Sequence, residues 1–280
     1  MKGHWAVKAS NEAFPALRVQ LLGAFRVWRE GVLIDFQEWK TRKHQSLFKL
    51  MVSQRGRFFS AEELVEWLWP TAPPEQALAA LRKRVSELRK ILQPRLAKGS
   101  DSHFLLTRPN GYCFDSDADC LVDLEEFDRH DRQGCACEQQ GSYPEAIRAY
   151  EAGARWYQGE YLAEDRYEEW ASLQRERSKE AYLELLLRLA ECYARAGQYQ
   201  RAIARCTQAL EIYSDAEDGY LKLMRYHALA GQWGEAQRAY ERCREVLHRQ
   251  LGLDLSPAVQ ELHDQILQHR IPQMPSSSPY

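Results

Sequence analysis

A repeat with a period of 34 residues limits the folds open to this chain more than any other feature of its sequence. Two segments share a ring side chain, a glycine, an aromatic residue and an alanine at the same offsets, namely Tyr193, Gly197, Tyr199 and Ala202 in one and His227, Gly231, Trp233 and Ala236 in the other. This period is typical of tetratricopeptide (TPR) repeats, in which each unit is a pair of antiparallel helices. The small residues let paired helices approach closely, and the rings fill the space between pairs. The pattern therefore predicts an all-α repeat fold.

A third copy of the pattern lies nearer the N-terminus, at Gly141, Tyr143 and Ala146. Gly141 precedes Gly197 by 56 residues, so additional helical material around 160–180 must interrupt the period. Helical patterns extend from about residue 121 to about residue 268. We therefore expect the second half of the chain to form an irregular TPR-like domain.

The first 115 residues follow a different pattern, in which strands come before three helices. Apolar and polar residues alternate from Leu17 to Leu21, and segments 24–28 and 32–34 also have the composition of strands. These segments predict an antiparallel sheet. Three helical segments follow: 41–56 with Gly56 as the stop, the segment from the capping signature at Ser60 to Pro70, and 74–92, which Pro73 and Pro74 open.

Two short apolar segments, 104–107 and 112–114, flank Asn110-Gly111, which is a strong signal for a tight β-hairpin. The complete order is sheet, three helices and terminal hairpin. This is the layout of a winged helix-turn-helix, with the third helix as recognition helix and the hairpin as wing. The predicted fold class is an α+β winged helix-turn-helix domain followed by an all-α TPR-like domain.

The distribution of charge also separates the two halves. Residues 1–115 carry 19 Lys and Arg against 11 Asp and Glu, a net charge of +8, whereas residues 116–280 carry a net charge of −10. Such asymmetry suggests two domains with different partners. The basic half is the candidate for binding a polyanion.

The third helical segment of the basic half, residues 74–92, has one apolar stripe, formed by Leu78, Leu81, Val85, Leu88 and Leu92. Polar and charged side chains occupy or flank the opposite face: Arg82, Lys83, Arg84, Ser86, Glu87, Arg89 and Lys90. A basic helix fits the major groove of B-DNA, where Arg reads guanine and cations neutralise phosphates. The alternative is an ordinary solvated basic face. The order of the surrounding elements favours DNA binding.

Two further groups of cations are candidates for DNA contact. Lys40, Arg42 and Lys43 precede or begin the first helix, where they suit backbone phosphates. A solvated run of charges explains them equally well. Arg108 lies at the tip of the hairpin, where a wing enters the minor groove, although it is also compatible with a plain turn.

Several segments together carry a family resemblance. In the first half, LRVQLLGAFRVW, ELVEWLWP, ALRKRVSELRKIL and LLTRPNGYCF resemble the winged-helix DNA-binding domain of response-regulator type, and more specifically that of the SARP family (Streptomyces antibiotic regulatory protein). The second half resembles the bacterial transcriptional activator domain that follows it in that family, through VDLEEFDRH, AIRAYEAGARWYQGEYLAE and VLHRQLGLDLSPAVQELHDQI. The resemblance covers about residues 17–268.

The resemblance implies a sequence-specific transcriptional activator. Members of the family bind tandem direct repeats near promoters, often as side-by-side protomers, and engage RNA polymerase through the helical domain. Segment 74–92 corresponds to the recognition helix, and Arg89 matches a position that commonly holds phosphate. Glu87 departs from the family pattern, which usually has Arg there. A glutamate can accept a hydrogen bond from cytosine but repels phosphate, so the departure affects sequence preference.

The domains expected from the sequence are a flexible arm, 1–16, a winged-helix domain, 17–116, a TPR-like activator domain, 117–270, and a disordered tail, 271–280. The sequence has no signal-peptide core and no apolar run long enough to span a membrane, so we expect a cytoplasmic bacterial protein without membrane contact. We find no catalytic motif and no metal-ligand spacing. We therefore predict a protein that is not an enzyme and that needs neither cofactor nor metal.

Two other functions remain open from the sequence. The chain is alternatively a protein-interaction scaffold whose TPR-like groove holds a peptide. It is alternatively a regulator gated by a small effector, such as a nucleotide second messenger, that binds the helical domain and shifts the population bound to DNA. The expected partners are therefore double-stranded DNA, RNA polymerase and a second copy of the chain, with a small-molecule effector as a further possibility.

Overall fold

The computed structural model describes residues 15–97, 99–250 and 252–270, with only the backbone at Arg249 and Gln250. The predicted tail, and all of the predicted arm except Pro15 and Ala16, lie outside these ranges. The chain divides into two compact units. One runs to Leu124 and includes Leu162–Ser172, and the other comprises Glu125–Tyr161 and the residues from Leu173 onwards. The domain limits expected from the sequence, 17–116 and 117–270, stay predictions.

The first unit begins with a four-stranded sheet of order β3-β2-β1-β7, formed by β1 (Leu17–Gln20), β2 (Arg26–Arg29), β3 (Val32–Leu33) and β7 (Cys120–Val122). The first three strands are antiparallel, as the alternation predicts. Strand β7 pairs in parallel with β1, and the sequence pattern did not predict it. Asp123, directly after β7, is buried and its carboxylate accepts hydrogen bonds from the backbone N–H groups of Leu21 and Leu22. These hydrogen bonds join the end of β7 to the residues that follow β1, which lie 102 and 101 positions earlier in the chain.

Three helices and a second sheet complete the first unit: α1 (Arg42–Val52), α2 (Ala61–Leu68), α3 (Pro74–Leu92), and β4 (Phe58–Ser60), β5 (Leu105–Arg108) and β6 (Gly111–Phe114) in the order β4-β6-β5. The Ser60 hydroxyl accepts the N–H of Glu63 and starts α2, and Pro74 occupies the first turn of α3. Strand β4 was not predicted because three residues show no recognisable alternation. The winged helix-turn-helix prediction is confirmed.

Paired helices make up most of the second unit, although the first residues of α4 and of α6 belong to the first unit. The helices are α4 (Asp123–Gln139), α5 (Tyr143–Trp156), α6 (Glu169–Arg195), α7 (Tyr199–Ile212), α8 (Glu217–Leu229), α9 (Trp233–Arg244) and α10 (Pro257–Leu267). A π-helical turn, Glu245–Gln250, follows α9. The 27-residue α6 and the segment before it are the extra material that breaks the 34-residue period. The predicted TPR-like fold is confirmed.

Three helix pairs of this unit have the same connection. Gly141, Gly197 and Gly231 all have φ between 70° and 75°, the left-handed region that ends a helix at low cost for glycine. The residue after each glycine donates its N–H to the carbonyl five positions earlier, as Gln232 does to His227. The alanine that follows, at 146, 202 and 236, is fully buried. The sequence repeat therefore encodes one turn geometry used three times.

Within the part of the chain that the structure describes, no helix is long and apolar enough to cross a membrane.

Candidate nucleic-acid interface

The outward face of α3 is exposed and basic. Arg82, Lys83, Ser86 and Lys90 are all solvent-exposed, whereas Leu81, Val85 and Leu88 on the other side are fully or almost fully buried. The exposed positions follow the spacing of one helical face, so their side chains form a single row along the helix. Three of the four carry a permanent positive charge at neutral pH. The row therefore gives the outward face of α3 a positive charge.

One flank of α3 holds an ion pair rather than two free charges. Arg84 Nη1 donates to Glu87 Oε2 at 2.7 Å, and both side chains are about three-quarters buried. The same carboxylate oxygen contacts Nε2 of His44, in α1, at 3.0 Å. Burial opposes the ionisation of Glu87, but the hydrogen bonds from Arg84 and His44 lower its pKa below the ordinary value. Glu87 is therefore an anion held by two donors.

The His44 ring is completely buried between α1 and this flank. Burial lowers the pKa of His44 below its ordinary value, with the charges of Arg84 and Lys40 acting in the same direction and Glu87 opposing them. The neutral ring donates from Nε2, because a carboxylate only accepts. Its Nδ1 is then the acceptor for the hydroxyl of Thr41, 2.9 Å away. Thr41 is the N-cap of α1, yet its side chain makes no capping bond to the helix backbone.

The other flank of α3 is attached to the wing. Arg89 donates from Nε and Nη2 to the carbonyl oxygen of Leu105 in β5, at 3.1 and 2.7 Å, and from Nη2 to Thr107 Oγ1 at 2.7 Å. The guanidinium predicted to hold phosphate is therefore engaged within the protein. A bidentate contact of this kind fixes both distance and orientation. The first strand of the wing thus has a defined position beside the recognition helix.

The tip of the wing is a two-residue turn between the paired residues Arg108 and Gly111. Asn110 adopts a left-handed φ of 62°, which asparagine tolerates, and its carbonyl accepts the N–H of Ala61 at the start of α2. Gly111 is required, because a Cβ there would lie 2.1 Å from the carbonyl oxygen of Phe59. The turn is thereby fixed, and the exposed Arg108 side chain is displayed at its edge.

The cations around the N-terminus of α1 divide into two groups. Lys40 and Arg42 are exposed. Lys43 is exposed as well, but its ammonium donates to the carbonyl of Leu68, the last residue of α2, and lies 5.9 Å from the centre of the Trp69 ring. A cation at a helix C-terminus satisfies a free carbonyl and the helix dipole. Lys43 therefore has a structural partner that its sequence context did not reveal.

The first turn of α1 and the wing both contact α3. The N-terminal turn of α1 reaches α3 through His44 and Glu87, and the wing reaches it through Arg89 and Leu105. The sequence did not predict roles for His44 and Thr41, since a lone histidine in an apolar helix gives no local signal of its partner. No group of three or more potential metal ligands occurs among residues 15–97, 99–250 and 252–270. The arrangement offers hydrogen-bond donors and positive charge, which suits phosphate and base edges.

Two family profiles match the chain. Residues 38–114 match "Transcriptional regulatory protein, C terminal", and residues 122–267 match "Bacterial transcriptional activator domain". The chain is 30% identical to the regulatory protein AfsR of Streptomyces coelicolor over 93% of its own length, and it spans 25% of AfsR. It is 23% identical to the transcriptional regulatory protein MoaR1 of Mycobacterium tuberculosis, covering 90% of this chain and 79% of MoaR1.

A solved structure has the same fold. EmbR of Mycobacterium tuberculosis, in complex with a low-affinity phosphopeptide, superposes with a TM-score of 0.80 at 24% identity, covering 91% of this chain and 66% of EmbR. The matched profiles occur in the order predicted from the sequence, a winged helix and then an activator domain. The chain belongs to the SARP family of transcriptional regulators.

Proposed function

We propose that this regulator binds double-stranded DNA in a sequence-specific manner, with α3 in the major groove. The observation that carries the proposal is the exposed basic row of Arg82, Lys83, Ser86 and Lys90, which no other element of the first unit covers. A helix held on both flanks presents such a row as a rigid surface. Rigid presentation favours base readout, because the side chains reach the groove from fixed positions.

The surrounding residues take two kinds of role in this proposal. Lys40 and Arg42 contact backbone phosphates beside the N-terminus of α1, and Arg108 lies over the adjacent minor groove. Arg84 reads a base, and Lys83 and Lys90 combine base and phosphate contacts. Lys43 and Arg89 act first as supports of α2 and of the wing, although Arg89 keeps donors that can also reach phosphate.

We further propose that the protein activates transcription in the cytoplasm of a bacterium by binding tandem direct repeats near promoters as side-by-side protomers. The helical unit then supports contact between protomers and engages RNA polymerase. Membership of the SARP family supports this part of the proposal. The scaffold and effector-gated alternatives have no specific observation in their favour. A family of transcriptional regulators also agrees with a protein that is not an enzyme.

The direct test is selection of bound sites from a pool of random duplexes with the purified protein, at low and at high salt. The proposal predicts a repeated motif, with copies about one helical turn apart, and retention that weakens steeply with salt. Recovery of random sequences by folded protein would contradict sequence-specific binding. Recovery of a single unrepeated motif would leave base readout standing but contradict tandem binding.

A further inference from the structure

Glu87 is the one acidic side chain among the polar residues of α3 assigned to the DNA interface. Its place in the sequence suggests either a base acceptor or a residue that repels phosphate. In the structure its carboxylate is occupied by two donors, Arg84 at 2.7 Å and the buried His44 at 3.0 Å. An acceptor that is already shared by two donors is poorly placed to accept from cytosine as well. The geometry assigns it another task.

We propose that Glu87 is a positioning residue that holds the guanidinium of Arg84 in a single orientation for reading one base pair, and that His44 in turn holds Glu87. The inference rests on the proposed DNA binding and adds a determinant of specificity to it. Arginine discriminates bases by presenting two N–H groups in a fixed plane. A long side chain on an exposed helix samples several rotamers, and ordering it costs free energy. An ion pair formed before DNA arrives removes part of that cost.

The contact leaves Arg84 able to read a base. A guanidinium has five N–H donors, and the contact with Glu87 uses Nη1. The edge formed by Nη2 and Nε therefore keeps two parallel donors for a base such as guanine. Arg84 is only about one-quarter exposed, which limits it to the rotamers that this pair selects.

His44 holds the Glu87 carboxylate in place from α1. Its ring is completely buried, so it has no freedom to turn away from Glu87. The Thr41 hydroxyl occupies the other ring nitrogen instead of capping α1. The chain of contacts therefore runs from Thr41 through His44 and Glu87 to Arg84. Its first two members contact no base in the proposal, but they help to keep Arg84 in the orientation that reads one.

The experiment compares wild type with Glu87→Gln, using duplexes selected from a random pool and scrambled versions of them. Removing a negative charge near DNA raises the affinity for both duplexes. Because Arg84 is then no longer held in one orientation, the affinity for the selected duplex relative to the scrambled duplex falls about tenfold. This is the size expected for one base pair read by a bidentate arginine. Glu75→Gln, which removes the same charge from an exposed position of the same helix, is the matched control and leaves the ratio unchanged.

Repeating the site selection with each variant tells which base position has changed. The inference predicts that Glu87→Gln and Arg84→Ala relax preference at the same position, and that His44→Gln does so less strongly. Relaxation at different positions would mean that Glu87 reads a base itself and would overturn the inference. An unchanged preference in Glu87→Gln, with an unchanged melting temperature, would overturn it as well. A folded wild-type protein that retains no duplex would refute the proposed function together with this inference.

Discussion

The guanidinium of Arg89 and the carbonyl oxygen of Leu105 are joined by two hydrogen bonds, and this contact fixes the wing beside the recognition helix. A substitution at Arg89 therefore acts on the fold as well as on any phosphate contact. We expect Arg89→Ala to lower the free energy of unfolding of the first unit by about 1.5–3 kcal/mol, the range for hydrogen bonds made by a charged group.

Arg82→Ala is the control for this prediction, because Arg82 is exposed on the same helix. We expect it to weaken DNA binding while leaving the free energy of unfolding within about 0.5 kcal/mol of wild type. Chemical denaturation followed by tryptophan fluorescence measures both variants. Equal stability of Arg89→Ala and Arg82→Ala would show that the bridge to Leu105 contributes nothing to the fold.

Lys43 and Arg42 are adjacent in sequence but differ in their surroundings. Lys43→Met removes the cation at the C-terminus of α2 and should destabilise the first unit by about 0.5–1 kcal/mol. Arg42→Ala should leave stability unchanged and reduce the slope of log affinity against log salt by about one. Thermal melting and binding titrations at several salt concentrations distinguish the two. The reverse assignment of effects would mean that Lys43, not Arg42, contacts phosphate.

Asp123 predicts a pH dependence of stability. Burial raises its pKa from 3.8 to about 6, although the N–H groups of Leu21, Leu22 and Leu124 oppose the shift. Because the folded state binds the proton more tightly than the unfolded state, stability from this group is present below about pH 4 and is lost as the pH rises through about 6. Over this pH range the contribution of Asp123 to the free energy of unfolding falls by about 3 kcal/mol in total.

Urea denaturation of wild type and Asp123→Asn at pH values from 4 to 7 checks this prediction. Other carboxyl groups titrate in both proteins, so the difference between the two curves isolates Asp123. We expect that difference to change with pH in the stated direction, whatever the absolute cost of the asparagine. Parallel curves would mean that Asp123 has the same pKa in both states.

The repeat turns predict opposite effects for two neighbouring glycines. Gly231 has a φ of 75°, so Gly231→Ala should cost about 1–2 kcal/mol through backbone strain alone, since nothing lies within 4 Å of the added Cβ. Gly234 is the second residue of α9 and has equally open space around it, so Gly234→Ala should stabilise the second unit by about 0.4–1 kcal/mol by restricting the unfolded chain. Thermal unfolding of the two variants measures the contrast. Equal effects would contradict the turn geometry.

Local patterns predicted the elements that carry their own periodicity. The 34-residue spacing from Gly197 to Gly231 predicted the helix pairs, and the stripe from Leu81 to Leu88 predicted which side of α3 is buried. Asn110-Gly111 predicted the wing. In each case the residues that define the element are close in sequence, so their spacing alone contains the information.

The missed features depend on contacts between distant residues. Strand β7 is defined by its pairing with β1, and Asp123 reaches Leu21 across 102 positions. His44 and Glu87 are 43 residues apart, so nothing near either residue shows that one holds the other. The sequence shows that Arg84, Arg89 and Lys43 lie in charged segments, but it could not show that their side chains have partners within the protein. Such partners follow only from the packing of α1, α2 and the wing around α3.

Whether α3 forms the DNA-binding surface is tested most directly by the salt dependence of binding to a selected duplex. Fluorescence anisotropy measures it for wild type and for a double variant, Lys83→Ala with Lys90→Ala. We expect affinity to fall steeply with salt in wild type, and the double variant to reduce the slope of log affinity against log salt by about two. Arg177→Ala, an exposed cation of the helical unit, is the control and should match wild type. Wild-type slopes in the double variant would contradict the assignment of α3 to the DNA surface.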